Sequence, residues 1–336
     1  MPPFVIPVFI HHQGCPHRCV FCDQTRITGA AGTGRTVDAE DVRLEIERHL
    51  IRPRRFRWPV QVAFYGGSFT GLDIDLQLKL LSAVKPFIDK GEVDQIRLST
   101  RPDYIGPDTA SFLFDHGVRI VELGVQSMEP EVLAASGRGH SPDQTEAAFG
   151  YLKSGGLEVG AQLMVGLPGE TTSGLIKGAY RIAGLKPDLV RIYPTVVLKG
   201  SGLARLYEDG RYRPPSLHKA LALTARLKGI FDRYQIRVIR MGLQATETLE
   251  QSIVAGPYHP AFGELVLSRI LFKKVRAVLS CLPAEGRGTI SIAEADQSIF
   301  RGRKNMNVKR LVDLGLAARA EIIFDNNQPR NTVVVR

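Results

Sequence analysis

The sequence predicts an α/β fold, a partial six-stranded (β/α)6 barrel of the TIM-like type followed by a small C-terminal α+β appendage. Apolar, strand-like runs alternate with amphipathic helical stretches over roughly the first two hundred residues, which is the pattern of a parallel sheet. Six such units are fewer than the eight of a closed barrel, and the alternation stops after Gln244. A doubly wound sheet has a similar pattern, so periodicity leaves that alternative open.

The predicted elements follow one another in order along this barrel. Short apolar runs predict strands at residues 5–11, 60–65, 95–100, 119–125, 158–165 and 189–197. Amphipathic spacing predicts helices at residues 39–50, 75–89, 107–116, 141–154 and 173–183. Four of these helices are expected to be capped by side chains that accept from the first free backbone N–H groups, namely Asp38, Asp75, Ser141 and Ser173.

The second part of the chain is predicted to form a smaller, mixed region. A helix at 218–234 and a strand at 236–241 still follow the barrel pattern. Beyond them the pattern predicts helices at 260–279 and 307–314, and strands at 288–292, 321–324 and 332–335. We therefore divide the chain into a barrel core, residues 1–245, and a small basic C-terminal α+β region, residues 246–336.

Composition favours a cytoplasmic protein with anionic partners. The 336 residues are 44% hydrophobic, which is enough for one large α/β domain with a small addition. The N-terminus lacks the basic start of a signal peptide, and no apolar run is long enough to cross a bilayer, so no membrane association is expected. The formal net charge is +10, and the twelve basic and six acidic residues from Lys273 onward carry +6 of it. Such an excess favours RNA, nucleotides or phosphorylated substrates.

Three closely spaced cysteines are the most informative feature of the sequence. Cys15, Cys19 and Cys22 have the spacing C-x3-C-x2-C. Three thiolates can hold three irons of a [4Fe-4S] cluster and leave the fourth iron open to a small molecule. Structural zinc is an alternative that needs a fourth ligand, for which His17 or Cys281 is available.

Polar and glycine-rich motifs follow the second and third predicted strands. Gly66, Gly67 and Ser68 permit a tight turn and the close approach of a ligand to the backbone, although a plain turn explains them equally. Arg101 can pair with a ligand carboxylate through its forked guanidinium. Its alternative role is a structural salt bridge to an acid of the barrel such as Glu122.

Further motifs follow the fourth, fifth and sixth strands. Gln126 can hydrogen-bond a ribose hydroxyl, or it is a satisfied polar residue at a strand end. Gly166 and Gly169 flank a Leu-Pro pair in a loop with few side chains, suited to packing on an adenine face or to a simple turn. Tyr193 lies on the sixth strand, whose backbone groups can reach the edge of an adenine.

Taken in order, these motifs resemble the radical S-adenosylmethionine superfamily, and within it the group related to the catalytic subunit of Elongator. The resemblance covers residues 5–245 and rests on the cysteine loop at 15–22 together with motifs at 65–69, 100–104, 122–127, 136–140 and 166–169. The cysteine loop, Gly-Val-Gln-Ser and Gly-Arg-Gly-His are the specific parts of this set. Oxygen-independent coproporphyrinogen oxidases are similar in their barrel but more distant.

The resemblance implies a cofactor pair and a set of residues that hold it. A [4Fe-4S] cluster on the three cysteines would cleave S-adenosylmethionine reductively to methionine and a 5′-deoxyadenosyl radical, which abstracts hydrogen from the substrate. An electron donor such as flavodoxin or ferredoxin is also implied. The residues implied in cofactor binding are Phe21 beside the cluster or adenine, Gly66, Gly67 and Ser68 at the amino end, Arg101 and Gln126 at the carboxylate and ribose in either order, and Gly166 and Tyr193 near the adenine.

The resemblance leaves three functions to compare. The first is radical modification of tRNA, the second is the same chemistry on a small molecule or a protein, and the third is a non-catalytic, metal-stabilised RNA-binding protein. Elongator's catalytic subunit carries an acetyltransferase domain after its radical domain, and residues 246–336 are too short for it, so no acetyl transfer is expected. The basic stretches 52–58 and 301–305 are candidate RNA contacts or solvated surface. His11, His12, Arg138 and His140 are candidates for the substrate cavity or for structural roles, while substrate identity and oligomeric state are not predicted.

Overall fold

The computed structural model describes residues 3–10, 13–16, 19–23, 36–51, 59–283 and 288–336, and most of these residues build one open barrel. In chain order the strands are β1 (Phe4–Phe9), β2 (Val60–Tyr65), β3 (Gln95–Thr100), β4 (Val118–Gln126), β5 (Glu158–Val165), β6 (Leu189–Pro194), β7 (Val197–Leu198), β8 (Arg237–Met241), β9 (Ile253–Ala255), β10 (Gly288–Ala293), β11 (Ala320–Asp325) and β12 (Val333–Val335). Seven of them, in the order β1-β2-β3-β4-β5-β6-β8, form a parallel sheet that curls into a half-barrel. The predicted fold class is confirmed.

Helices follow the strands on the outside of this sheet. In chain order they are α1 (Ala39–Leu50), α2 (Ile74–Asp89), α3 (Pro107–Asp115), α4 (Pro130–Ala135), α5 (Pro142–Ser154), α6 (Thr172–Gly184), α7 (Gly202–Glu208), α8 (Leu217–Arg233), α9 (Glu247–Ser252), α10 (Phe262–Cys281), α11 (Gln297–Arg301) and α12 (Met306–Asp313). The sequence pattern did not predict the short helices α4, α7, α9 and α11. Each of these four has seven residues or fewer, which is too short to show a helical hydrophobic period. No helix in the described ranges is both long and apolar enough to cross a bilayer.

Two of the four predicted helix caps are correct and two are displaced. The side chains of Asp38 and Ser141 cap α1 and α5 in reciprocal capping boxes. Helix α2 is capped by Asp73, two residues before the predicted Asp75, and α6 by Thr171, two residues before the predicted Ser173. In both cases the earlier residue is the one with extended or non-helical backbone angles, and Asp75 and Ser173 already lie inside the helices.

Alternation along the strands separates the hydrophobic core from an inner cavity. On β1, Ile6 and Val8 point outward into a core shared with Val42 and Ile46 of α1. The intervening side chains on that strand, such as Pro7, face the inner surface of the half-barrel. Polar residues at inward positions of the sheet are therefore the ones that can build a site.

Several predicted boundaries differ in detail. The sixth strand ends at Pro194, and the remainder of the predicted 189–197 contributes to β7, which pairs antiparallel with β9. The first strand is described from 4 to 9, and His11 and His12 lie outside the described residues. The predicted strand at 236–241 is β8, the seventh member of the sheet.

The C-terminal region has its own small core. Strands β10 and β11 pair parallel and β12 pairs antiparallel with β10. Helix α10 enters two cores, because Phe262 and Val266 pack with Ala220 of α8, while Leu271 and Leu279 belong to the cluster around the small sheet. The division at 245/246 remains a prediction.

Candidate functional site

A cavity of about 1290 Å³ occupies the inner face of the half-barrel and its carboxyl edge. The thiol-bearing residues Cys15, Cys19 and Cys22 all line it. Residues from β1, β2, β3, β4, β5, β6 and β8 or from the loops directly after them complete the wall. The cavity thus lies at the carboxyl ends of the parallel strands, where the sequence predicts the site.

The glycines in and beside the cysteine loop allow two backbone segments to approach each other closely, in addition to any ligand. Gly14 has a φ of +69°, and a Cβ built on it would lie 2.1 Å from the carbonyl oxygen of Ser68. A Cβ on Gly67 would lie 2.5 Å from the carbonyl oxygen of Gln13, and one on Gly71 would lie 2.1 Å from that of Gly14. The turn after β2 and the start of the cysteine loop thus press directly together, and Ser68 N–H donates to Gln13 across this contact.

The middle of the cysteine loop is attached to two further elements. The N–H of Val20 donates to the carbonyl of Ser136 at 3.1 Å, and the carbonyl of Val20 accepts from Leu203 N–H at 2.7 Å. Phe21 packs with Met164 and Tyr193 at the ends of β5 and β6. The loop is therefore held by contacts to the turn after α4, to α7 and to the strand ends.

Arg138 is the cation closest to the cysteines among the described contacts. Its Nη1 lies 3.3 Å from Cys19 Sγ and its Nη2 donates to the Gly124 carbonyl, while its buried Nε has no protein partner. Burial raises the pKa of the Cys15 thiol, as does the adjacent Cys19, while the charges of Arg101 and Arg138 lower it. Arg138 thus combines a contact to the thiol set with unused donor capacity inside the cavity.

Arg101 lies at the cavity wall, but its fork is already occupied. Its Nε and Nη2 bind the two carboxylate oxygens of Asp103 at 2.9 and 2.8 Å, and Nη2 also donates to the Arg138 carbonyl. The structural salt bridge weighed for Arg101 is therefore real, with Asp103 as partner in place of the suggested Glu122. The side chain is only 3% exposed.

Gln126 is turned into the cavity by an irregularity at the end of β4. The register between β4 and β5 shifts between Leu123 and Gln126, and Gln126 itself has a φ of +65°. Left-handed backbone is costly for a residue other than glycine and tends to occur at functional sites. The buried Gln126 Oε1 has no hydrogen-bond partner, so it is free to accept from a ligand.

The remaining predicted cofactor residues divide into two groups. Gly66, Gly67 and Tyr193 line the cavity together with Phe21. Ser68 and Gly166 do not. The buried Ser68 hydroxyl bonds to the hydroxyl of Thr100 at 3.0 Å.

The backbone of Gly166 is engaged by protein on both sides. Its N–H donates to Glu170 at 2.6 Å, its carbonyl accepts from the Tyr212 hydroxyl, and a Cβ would lie 2.6 Å from Pro215. Burial raises the pKa of Glu170 to about 7, partly offset by that N–H and by Lys219. The predicted contact of Gly166 with an adenine stays a prediction.

A buried ionic network crosses the inner face of the sheet. Glu122 is fully buried and is shared by two arginines, Arg97 through Nε at 2.6 Å and Arg191 through Nε at 2.6 Å. The hydroxyl of Tyr65 donates to Glu122 at 3.1 Å and accepts from Arg191 at 2.9 Å. Burial, together with the charge of Glu122, raises the pKa of Tyr65 to about 12, so this phenol stays protonated.

Gly160 lets this network span the sheet. Glu122 and Gly160 are paired positions on β4 and β5, and a Cβ on Gly160 would lie 3.0 Å from Glu122 Cγ. The acid can therefore pass over β5 and reach Arg191 on β6.

The thiols share a cavity without converging on one point. Among the residues that the structure describes, no three histidine, cysteine, aspartate or glutamate side chains stand close enough to hold a single metal ion. A mononuclear zinc site needs its ligands about 2.0–2.3 Å from one ion, whereas each cysteine of an iron–sulfur cluster binds a different iron. Cys281 lies at the end of α10 and does not line the cavity, and His17 lies outside the described residues.

Two other groups of predicted residues can now be placed. His140 is buried, and burial together with the charge of Arg138 lowers its pKa to about 3, so it is neutral. The basic stretch at 52–58 lies outside the described residues. The stretch at 301–305 forms the exposed turn before α12, with Arg303 and Lys304 on its surface.

Sequence reasoning missed three polar residues that line the inner face, Gln162, Arg191 and Arg240. A signal for them was present, because each is a long polar side chain inside a predicted strand. Whether these side chains reach the cavity depends on which face of each strand points inward. A pattern of apolar residues does not determine that face for strands that are buried on both sides.

The fold and the site can now be compared with known proteins. Residues 9–177 match the Radical SAM superfamily, and residues 187–271 match the Radical SAM C-terminal domain. The first match alone spans half of the chain, and it contains the cysteine loop. The chain belongs to the radical S-adenosylmethionine superfamily.

Individual relatives place it near the Elongator-related group. The tRNA uridine(34) acetyltransferase of Methanocaldococcus jannaschii is 27% identical over 303 residues, which cover 78% of this chain and 54% of that protein. Elongator complex protein 3 of Homo sapiens is 30% identical over 178 residues, 52% of this chain and 32% of that protein. The chain therefore spans about half or less of the length of these relatives.

A solved structure supports the same fold. The archaeal Elp3 of Methanocaldococcus infernus, with an N-terminal deletion, superposes with a TM-score of 0.61 at 23% identity and covers 81% of this chain and 64% of that one. At this identity the similarity establishes the fold alone.

Proposed function

We propose that this protein is a radical S-adenosylmethionine enzyme that acts on tRNA. When bound, a [4Fe-4S] cluster supplies the electron that cleaves S-adenosylmethionine to methionine and a 5′-deoxyadenosyl radical. The observation that carries the proposal is the convergence, in one cavity, of three thiols with the unpartnered buried atoms Gln126 Oε1 and Arg138 Nε. Both side chains line the same cavity as the cysteines, so these two atoms are available to a polar ligand bound in it.

Each part of the ligand then has a candidate partner in this chain. Cys15, Cys19 and Cys22 would hold the irons, and Gly66 and Gly67 leave their backbone open toward the amino group. Gln126 Oε1 can accept only from a donor, which suits a ribose hydroxyl better than a carboxylate. Phe21 and Tyr193 would flank the adenine as apolar wall.

We assign the carboxylate to Arg138 in preference to Arg101. The guanidinium of Arg101 is neutralised by a two-pronged salt bridge to Asp103, whereas Arg138 contacts Cys19 and keeps an unused buried Nε. An uncompensated buried guanidinium is costly unless a counter-charge binds to it, and a ligand carboxylate would supply that charge.

The chemistry is tested by anaerobic reconstitution of the full chain with iron and sulfide. Reduced protein is mixed with S-adenosylmethionine, and 5′-deoxyadenosine is measured alongside iron content. The wild type and the control Cys281→Ala, which changes a cysteine outside the cavity, should bind iron and form 5′-deoxyadenosine. Cys19→Ala should lose both. Stoichiometric zinc with no iron in the wild type would overturn the enzyme assignment and favour a metal-stabilised RNA-binding protein.

The choice of tRNA as the substrate class rests on the relatives and on charge. One of the relatives named above is by name a tRNA uridine(34) acetyltransferase. Exposed cations lie on the turn before α12 and on the helix itself, at Arg301, Arg303, Lys304, Lys309 and Arg310. The cytoplasm, where thiols are kept reduced, is the compartment that suits such a protein.

Binding of tRNA is tested by filter binding at several salt concentrations. If these cations contact phosphates, the affinity for tRNA should fall steeply as the salt concentration rises. The double variant Arg303→Gln with Lys304→Gln should then reduce the slope of log K against log salt concentration by about two. Arg43→Gln with Arg48→Gln on α1, two exposed cations paired to glutamates, is the matched control. Salt-independent affinity, or 5′-deoxyadenosine formation stimulated only by a small molecule or a protein, would contradict tRNA as substrate.

A further inference from the structure

A row of three polar side chains crosses the inner wall of the half-barrel away from the cysteine loop. Gln162 on β5 is paired in register with Arg191 on β6, and Arg191 is paired with Arg240 on β8. All three line the cavity. Paired positions on neighbouring strands carry side chains on the same face, so the two arginines project side by side into the cavity.

A β-bulge brings Arg240 into this row. Val190 pairs with Val238, but the next residue, Arg191, pairs with Arg240, so that Ile239 is the extra residue. Ile239 is 42% exposed, while Arg240 lines the cavity. Without the bulge, Ile239 would stand beside Arg191. Bulges that re-aim a side chain are common next to functional sites.

The charge in this part of the cavity is unbalanced. Arg191 shares the carboxylate of Glu122 with Arg97, so two guanidinium groups have one acid between them. Arg240 donates to Gln244, which is neutral. Among the described side chains that line the cavity, the acid is Asp23, which belongs to the cysteine loop. Like charges at paired strand positions are destabilising unless a counter-charge lies between them.

The neighbouring groups are donors as well. The Tyr193 hydroxyl accepts from Arg191 Nη1 at 3.3 Å, which leaves its own proton available to an acceptor in the cavity. Gln162 offers an amide beside it. A cluster of guanidinium, hydroxyl and amide donors is the environment that an oxyanion prefers.

We propose that this wall binds an anionic group of the substrate, a phosphate or a carboxylate, at Arg240, with the Tyr193 hydroxyl and the charge of the ion-paired Arg191 beside it. The site is separate from Arg138, which is assigned above to the cysteine-bound ligand, and the inference rests on the proposed function only in calling the anion part of the substrate. The substrate would place its charged group on β6 and β8 and its reacting carbon toward the cysteine loop.

The test uses thermal unfolding of the reconstituted full chain with three separate probes: inorganic phosphate, acetate and uridine monophosphate. A ligand that binds only the folded protein raises the melting temperature as its concentration increases. Ionic strength is kept constant with chloride, so that only binding of the probe changes the melting temperature. The apparent Kd for the stabilising probe should be at least about tenfold larger in Arg240→Gln than in the wild type, since a charged hydrogen bond is lost. Arg237→Gln, an exposed residue of β8 outside the cavity lining, is the matched control and should bind as the wild type does.

Each outcome decides the proposal. Stabilisation by phosphate, and more strongly by uridine monophosphate, supports a nucleotide as the source of the anion, and stabilisation by acetate alone supports a small carboxylate. No stabilisation by any probe, or equal stabilisation of Arg240→Gln, overturns the site. Arg191→Gln is a second variant. If Arg191→Gln fails to fold, the result for Arg240→Gln still decides the proposal. The wild-type 5′-deoxyadenosine assay is independent, so failure of the anion site and failure of the enzyme assignment are distinguishable.

Discussion

At the scale of single residues, the site depends on side chains whose partners decide their roles. Arg101 follows β3 and Arg138 follows α4, and both are buried, yet only Arg101 has a carboxylate across its fork. Arg138 contacts Cys19 and a carbonyl and keeps Nε unused. The difference separates a structural salt bridge from the cation that we propose binds the ligand carboxylate.

Replacing Arg138 by lysine should weaken S-adenosylmethionine binding to the reconstituted protein by about tenfold, because lysine keeps the charge but loses the fork. Equilibrium dialysis measures the change. Arg119→Lys is the control, because Arg119 lies at the amino end of β4, where it donates to the carbonyls of Phe114 and Val118. If Arg138→Lys binds S-adenosylmethionine with unchanged affinity and Arg101→Lys binds it more weakly, Arg101 and not Arg138 contacts the carboxylate.

Glu170→Gln should remove a pH dependence of stability. The ordinary pKa of a glutamate is about 4.5 and that of Glu170 is raised to about 7, so between these values the folded protein holds a proton that the unfolded chain releases. The contribution of Glu170 to stability therefore falls as pH rises through this window, on the order of 3 kcal/mol in total. The lowered pKa of His140 gives an opposite slope below its ordinary value of 6.5, and that slope is the same in both proteins. The amide can still accept from Gly166 N–H, so the stability of the variant relative to the wild type should increase with pH across the window.

Urea unfolding at pH 5, 6, 7 and 8 tests this expectation. Glu208→Gln, an exposed residue on α7, should keep the wild-type slope. A stability difference between the wild type and Glu170→Gln that does not change with pH across the window would contradict the burial argument.

At the scale of elements, the turn after β2 and the cysteine loop act as one unit. Gly67 approaches the carbonyls of Gln13 and Ile10 so closely that a Cβ would lie 2.5 and 2.6 Å from them. These atoms are backbone and cannot rotate away. The loop that carries the thiols is thus shaped by a glycine on a different strand.

Gly67→Ala should therefore destabilise the fold by roughly 1–3 kcal/mol and lower iron content after reconstitution, since the loop must shift. Gly150→Ala is the matched control, because Gly150 lies inside α5 with nothing within 4 Å of a built Cβ. It should stabilise by about 0.5–1 kcal/mol. Full iron loading in Gly67→Ala would show that the contact does not shape the loop.

The positions of the barrel strands could be predicted from the sequence, but the directions of their side chains could not. Each barrel strand is a short apolar run bounded by polar residues, so its position is local information, and β2, β3 and β5 were placed correctly to the residue. The register shifts at Gln126 and Arg191 arise from pairing with a neighbouring strand, which no local pattern contains. Those shifts decide what faces the cavity. The partner of Arg101 was missed for a related reason, because Asp103 folds back only when the turn after β3 is formed.

At the scale of the whole molecule, α10 joins the barrel to the C-terminal sheet. Its first turns pack on α8 and its last turns form the core under β10. A helix cannot easily stay folded in one core while the other is lost, because helical hydrogen bonds propagate along the chain. The two predicted regions should therefore unfold together.

Leu279→Ala tests this, since Leu279 is fully buried in the C-terminal core. Calorimetry should show one transition that moves as a whole, with a loss of about 2–5 kcal/mol. Leu44→Ala, exposed on α1, should change stability by less than about 0.5 kcal/mol. Two transitions, of which only one responds to Leu279→Ala, would show two independent domains.

The attachment of Val20 to Ser136 and Leu203 also sets an order of events in the life of the chain. The cysteines leave the ribosome early, but the residues that hold their loop are made much later, on the order of ten seconds or more at ordinary rates of synthesis. During that interval the thiols have no finished loop and are exposed to oxidation and to competing metals. Loading of the proposed cluster would therefore be a late, post-translational step, and cells that make this protein quickly under air should then accumulate it folded but without iron.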